Sequence, residues 1–178
     1  MKHEIDISCP GNILAIEFIT DKNSICVSLS DRAFQFFDAN SIMEQQQKAK
    51  NQSTIKAKFK RVSLPSTQKC LCYVGRKRVL FSAGTDGAIF AWAVDKIFTN
   101  NGGMEDPGAS DDKNNQPQYL EYICENTPWF LGGVATCIID LPNIEQIATG
   151  SYKRRIELWD LSTENNKMEM ENEDRGTT

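Results

Sequence analysis

The chain has 178 residues and a mass of 20.0 kDa, with 40% hydrophobic residues, a net charge of −4 and a pI near 5.1. That length suits one domain with a sizeable core, and that charge argues against a chain devoted as a whole to nucleic acid. No apolar run approaches the roughly 18 residues of a membrane span, and the opening MKHEIDISCPGN has no signal-peptide core, so a reducing, cytoplasmic setting is the default expectation.

Residues 2–8 alternate, with Ile5 and Ile7 on one face, and predict a short strand ended by Pro10 and Gly11. Residues 13–19, 25–30 and 33–39 predict three more, with a turn at Thr20, Asp21, Lys22 and Asn23. Residues 41–53, SIMEQQQKAKNQS, are polar and lack β-branched side chains after Ile42, and are expected to form a solvated loop. IKAKFKRV at 55–62 alternates apolar with basic residues, the pattern of a strand with one face in water, and Pro65 closes it.

Strands at 68–74, 79–83 and 88–94 follow. The last two form the hairpin VLFSAGTDGAIFAWAV, in which Gly87 can take a positive φ and Asp86 can turn its carboxylate onto the turn amides. NNGGMEDPGASDDKNNQPQ, at 100–118, cannot bury enough apolar surface to offset its ordering entropy and reads as a disordered insert. Residues 119–125 predict an outer strand, and Trp129 falls in a loop that runs into Leu131, Gly132 and Gly133. Strands at 134–140, 145–150 and 155–161 end the periodic part, leaving 162–178 as a disordered acidic tail.

Chemistry-bearing groups are sparse. Cys9, Cys26, Cys70, Cys72, Cys124 and Cys137 mostly fall in predicted strands, where a thiol acts as a small hydrophobe. Cys70 and Cys72 share one strand face, but no second pair stands at a spacing that completes a zinc site. With His3 as the one histidine, no phosphate loop and no nucleophile elbow, the reading is noncatalytic, with no cofactor and no metal. Asp31 and Asp86 lie in hairpin turns, where a structural role is expected.

Three stretches share one grammar: ICVSLSDRAFQFFDA, the central hairpin, and QIATGSYKRRIELWDL. Their alignment places Phe37, Trp92 and Trp159 in one column, Val27, Ser82 and Thr149 ten residues upstream of each, and Asp31, Asp86 and Lys153 at the turn. The intervals, 92 − 37 = 55 and 159 − 92 = 67, exceed the roughly 40 to 45 residues of a WD40 unit; polar inserts supply the surplus. SAGTDGAIFAW and ATGSYKRRIELWDL resemble the WD40 repeat family, the second through its Trp159-Asp160 pair.

The resemblance implies an all-β fold, a partial WD40 β-propeller of about three four-stranded antiparallel blades, and a buried network of Ser or Thr, turn Asp, strand Trp and an incoming His. Ser82, Asp86 and Trp92 match three members of that network; Thr149 and Trp159 match two, with Lys153 at the turn; Asp31 stands alone beside Phe37 and Val27. The propeller part is expected over 1–161, in units at about 2–39, 54–94 and 119–161, each running outer strand first. Such a series leaves the first strand without its blade and the third blade without its outer strand. Closed propellers use about four to eight blades, so this chain is expected not to close alone, and to self-associate or be completed by a partner.

Basic residues Arg32, Arg61, Lys153, Arg154 and Arg155, with Trp129 as an aromatic anchor, are the candidate partner-binding residues on one face, suited to acidic or phosphorylated protein segments. Arg76, Lys77 and Arg78 sort to the other face with Glu105, Asp106, Asp111 and Asp112. The leading reading is a protein–protein interaction scaffold, an arc of a larger WD40 protein. SDRAFQFFDA and DLPNIEQIATGSYKRRIELWDL resemble the long WD-repeat proteins of cilia and flagella that occur with EF-hand modules, which implies axonemal or cytoskeletal partners. The alternatives are a nucleic-acid-binding propeller that uses the basic turns, and a regulatory adaptor subunit of an enzyme complex.

Overall fold

The computed structural model describes residues 6–48, 54–55, 59–99 and 129–162. In chain order these form β1 (Asp6–Ile7), β2 (Ile13–Ile19), β3 (Ser24–Leu29), β4 (Ala33–Asp38), α1 (Ala39–Lys48), β5 (Thr54–Ile55) and β6 (Phe59–Ser63). There follow β7 (Gln68–Val74), β8 (Val79–Gly84), β9 (Ala88–Ala93), α2 (Val94–Thr99), β10 (Trp129–Phe130), β11 (Ala135–Leu141), β12 (Gln146–Ser151) and β13 (Arg155–Asp160).

Three antiparallel meanders result: β2-β3-β4-β6, β7-β8-β9-β10 and β11-β12-β13. The first strands lie side by side, β2 on β7 and β7 on β11, so the sheets stack as consecutive blades of an arc that does not close. Between the first and second blades lie Ile19, Cys26, Phe34, Phe36, Leu80 and Trp92. Between the second and third lie Val74, Phe81, Ile89, Leu131, Ile138 and Ile147. Each blade therefore presents apolar side chains on both faces, which alternation along a strand permits only if a neighbour covers each one.

The three blades repeat their turns. The connection from first to second strand ends in a left-handed residue at Asn23 (φ 45°), Arg78 (φ 53°) and Glu145 (φ 51°), and the second hairpin turns at Arg32 (φ 60°), Gly87 (φ 76°) and Arg154 (φ 60°). Backbone bonds repeat with them: Ser30, Thr85 and Tyr152 donate to the carbonyls of Asn12, Thr67 and Val134, at 2.9, 3.0 and 3.1 Å. At Gly84 the approach is so close that a methyl group would run into the Thr67 carbonyl.

Several expectations change. The loop expected over 41–53 is helical as far as Lys48, because Asp38, at the end of β4, caps α1: its carboxylate accepts the amides of Asn40 (3.0 Å) and Ser41 (3.3 Å). Straight-chain Met43, Glu44 and Gln45 then favour helix. A second helix, α2, follows β9 and buries Val94 and Ile97. The strand expected at 2–8 is seen at Asp6–Ile7, paired in parallel with Thr54–Ile55. Ile7, Cys9 and Ile42 pack beside Val27, Leu29 and Phe37, so β1 and α1 cover part of the first blade's outward face.

Trp129 was expected in a loop but is in β10, paired with Ile89 as the second blade's outer strand. The outer strand expected at 119–125, the insert at 100–118, the tail from 163 onward and Cys124 lie outside the described residues.

Trp92 is buried, makes an edge contact with Phe34 of the neighbouring blade at 5.7 Å, and donates Nε1–H to Ser82 Oγ at 2.8 Å. Trp92→Ala is therefore expected to cost roughly 3 to 5 kcal/mol as a large truncation in an inter-blade core, read from the denaturant midpoint; an unchanged midpoint contradicts this placement. Gly84→Ala is expected to cost about 1 to 3 kcal/mol through overpacking against the Thr67 carbonyl, read from the same denaturant midpoint.

Candidate functional site

The second hairpin turns of the three blades share one side of the arc, where the sequence placed the candidate contact residues. Arg61 Nη2 is 2.6 Å from Asp31 Oδ2, so this arginine is paired within its own blade, in a partly exposed bridge worth about 0 to 1 kcal/mol. Arg32, Lys153, Arg154 and Arg155 are exposed. Lys153 lies along the second blade's loop, its chain over Gly132 and Gly133. Trp129 belongs to the outer strand β10, where it pairs with Ile89, two residues beyond the Gly87 turn.

The structural candidates divide in the same way. Trp159 Nε1 donates to Thr149 Oγ1 at 2.8 Å, in the same geometry as Trp92 and Ser82. Asp86 Oδ1 accepts the Ala88 amide at 3.1 Å, closing its own turn instead of joining the tryptophan network, and Asp31 is engaged by Arg61. In the first blade both members of the polar pair are apolar, Val27 and Phe37, a joint replacement that leaves no buried donor unpaired.

On the opposite side, Arg76 Nη1 meets Asp140 Oδ2 of the third blade at 2.5 Å. Lys22 Nζ meets Asp95 Oδ1 at 2.6 Å, and Arg78 reaches the same carboxylate at 3.3 Å. Lys22, then Arg78, holds the Asp95 carboxyl below its ordinary value. Arg76, through Asp140, and Arg78, whose Nε lies 3.7 Å from Asp21 Oδ2 of the first blade, thus link neighbouring blades. The acidic residues expected near them, Glu105, Asp106, Asp111 and Asp112, lie outside the described residues.

Sequence reasoning passed over two features. Tyr152 is 70% exposed at the third blade's turn, with the Lys69 ammonium 5.9 Å from its ring centroid. On the third blade's outward face Ile139, Leu158 and Ile156 are 54%, 57% and 81% exposed. The signal for the second was in RIELWDL, where apolar residues occur at both parities of a strand and so call for cover on both faces.

Comparison with protein-family models and with the sequences of characterised proteins gives no match. Solved structures do match. U3-55K aligns with a TM-score of 0.55 at 10% identity over 86% of this chain, and the RRP9 WD40 repeats align with 0.52 at 12% over 86%. The Cps50 (Swd1) β-propeller domain of Myceliophteria thermophila aligns with 0.52 at 10% over 87%. The chain has the fold of a WD40 β-propeller arc. It spans 37% of the length of each of these three chains, and at 10 to 12% identity the likeness is one of fold. None of the three names refers to cilia, flagella or the cytoskeleton, so the narrower resemblance gains no support from them.

Cys26, Cys70 and Cys72 belong to the core, whereas Cys9 is partly buried and Cys137 exposed. Burial pushes Cys70 up to about 11 and Cys72 up to about 12, from 9.0, and raises Cys26 well above its ordinary value. These groups are neutral thiols in the folded state and titrate later than in the unfolded chain. Their contribution to stability is fully present below pH 9.0 and is lost as pH rises toward 11 and 12. The denaturant midpoint is therefore expected to fall as pH climbs from about 8 to about 11, and Cys72→Ala is expected to flatten that slope while lowering the midpoint at neutral pH.

Proposed function

We propose that this arc is a noncatalytic protein–protein interaction scaffold, one part of a larger propeller assembly, whose open third blade is its principal point of attachment. The observation that carries this reading is the uncovered face of Ile139, Ile156 and Leu158, built like the internal faces that pack blade on blade. Blade faces of this kind evolve against other polypeptide, and contiguous exposed apolar side chains mark interaction surfaces. The fold shared with WD40 domains supports it, since that fold hosts binding surfaces on a rigid frame. The cytoplasmic setting is part of the proposal, and an axonemal or cytoskeletal one rests on the sequence resemblance alone.

Light scattering on the purified chain tests it. Concentration-dependent association is expected, and the double variant Ile156→Asp with Leu158→Asp is expected to abolish it while changing the unfolding free energy by no more than about 0.5 kcal/mol, because both side chains are largely exposed. A wild-type chain that unfolds cooperatively as a monomer, with no tendency to associate, overturns the reading.

A further inference from the structure

The two four-stranded blades define a place that no described residue fills in the third. In the first, β6 joins β4 with Ala33 opposite Ser63, Phe34 opposite Val62 and Gln35 opposite Arg61, after which the Leu64 amide donates to the Arg32 carbonyl at 2.8 Å. In the second, β10 joins β9 with Ala88 opposite Phe130 and Ile89 opposite Trp129, after which the Leu131 amide donates to the Gly87 carbonyl, again at 2.8 Å. Arg32 and Gly87 are the left-handed turn residues of their blades. Leu64 and Leu131 are both buried, each in the core shared with the next blade. Two unrelated stretches thus enter by one register and end on the same side chain.

Arg154 is the equivalent turn residue of the third blade, with φ 60°. Among the described residues no strand pairs with the outer edge of β13. Carrying the register across fixes what an incoming strand would meet. An aliphatic residue would donate its amide to the Arg154 carbonyl. The residue before it would lie opposite Arg155, the next opposite Ile156, and the third opposite Glu157. Ile156 asks for an apolar neighbour. Glu157 Oε2 is buried with no hydrogen-bond partner among the described residues, and so asks for a cation or donor. In the first blade these places hold Leu64, Ser63, Val62 and Arg61.

We propose that the outer edge of β13 is a docking site for an extended strand from another polypeptide, added antiparallel, with a basic residue opposite Glu157 and an aliphatic residue three positions later at the Arg154 carbonyl. Main-chain bonds supply the attachment, and the two side-chain positions supply register and selectivity. Arg155 at the turn disfavours a basic residue immediately before the aliphatic one, so the preferred strand is basic at one position only within that window. The proposal rests on the scaffold reading and narrows it to one edge and one kind of occupant.

The probe is a synthetic peptide copying this chain's own outer-strand sequence, AKFKRVSLP, residues 57–65, titrated into the isotopically labelled full chain. Saturable shifts are expected, confined to the amides of β13 and its turn, with slowed amide exchange along that strand. Replacing the peptide's leucine by aspartate is expected to weaken binding at least about tenfold, and replacing its arginine by alanine several-fold. Glu157→Gln in the protein is expected to narrow the difference between the arginine and alanine peptides. Because the peptide variants leave the protein untouched, misfolding cannot mimic these losses. Absence of shifts at millimolar peptide, equal binding of a scrambled peptide, or shifts mapping to another blade each overturn the proposal. A chain that associates in light scattering yet ignores the peptide overturns strand addition and leaves the scaffold reading standing; one that does neither overturns both.

Discussion

The constraint on which the structure depends is that a four-stranded meander with apolar residues at both parities has two faces to hide and cannot hide either by itself. The second blade solves this completely, with Trp92 reaching Phe34 on one side and Phe81 and Ile89 meeting the third blade on the other. The first blade hides one face against its neighbour and part of the other beneath β1 and α1, where Val27, Leu29 and Phe37 are buried. Along its inner strand Ile16 and Phe18 remain exposed. The third blade hides one face only. Coverage is thus complete in the middle blade, partial at the first and least at the third, and the asymmetry between the two ends sets where further polypeptide would gain most by burial.

Polar groups do a different job. Ser28 Oγ donates to the Gln68 carbonyl of the next blade at 2.7 Å in a buried position, and Arg76 with Asp140 links the second blade to the third. Partly exposed ion pairs of this kind add little to stability. Their value lies in position: Ser28 joins a strand of the first blade to the start of β7, and Arg76 joins a turn of the second blade to β11, so they resist sliding that the apolar contacts alone would tolerate. The repeated left-handed turns act within blades in the same sense, setting the register of every hairpin before any blade meets its neighbour.

Most of the sheet was legible because strand alternation and turn chemistry are local properties. SDRAF, GTDGAIF and SYKRR each announce a hairpin in a handful of residues, and the ten-residue offset between Ser82 and Trp92, or Thr149 and Trp159, follows from two strands paired across such a turn. What escaped was decided by non-local or competing effects. The polar run after Asp38 looked like a loop, since its lack of β-branched residues was read as absence of strand and not as helix propensity; the cap that decides the matter is one residue upstream, inside a strand. The pairing on β9 is made by the short Trp129–Phe130, in a stretch that read as a loop because it runs straight into glycines, while the outer strand expected at 119–125 lies outside the described residues. The ion pairs of Arg76 and Arg78 join residues far apart in sequence, and no pattern within a window could have shown them.

The basic side of the arc can be sorted by the same physics. Arg61 is held by Asp31 and Lys153 lies along a neighbouring loop, which leaves Arg32, Arg154 and Arg155 as its exposed arginines. Arg32 and Arg154 occupy left-handed positions where the second blade has Gly87. A non-glycine residue there costs roughly 1 kcal/mol or more, and asparagine or glycine would relieve that strain. Arginine is therefore a poor choice on backbone grounds at two equivalent turns, and its presence is better explained by its side chain. In the first blade the carbonyl of that same residue receives the incoming outer strand. A guanidinium raised above the entry point of a strand can select against a second cation arriving beside it, so the turn that fixes register also filters the charge of what is admitted.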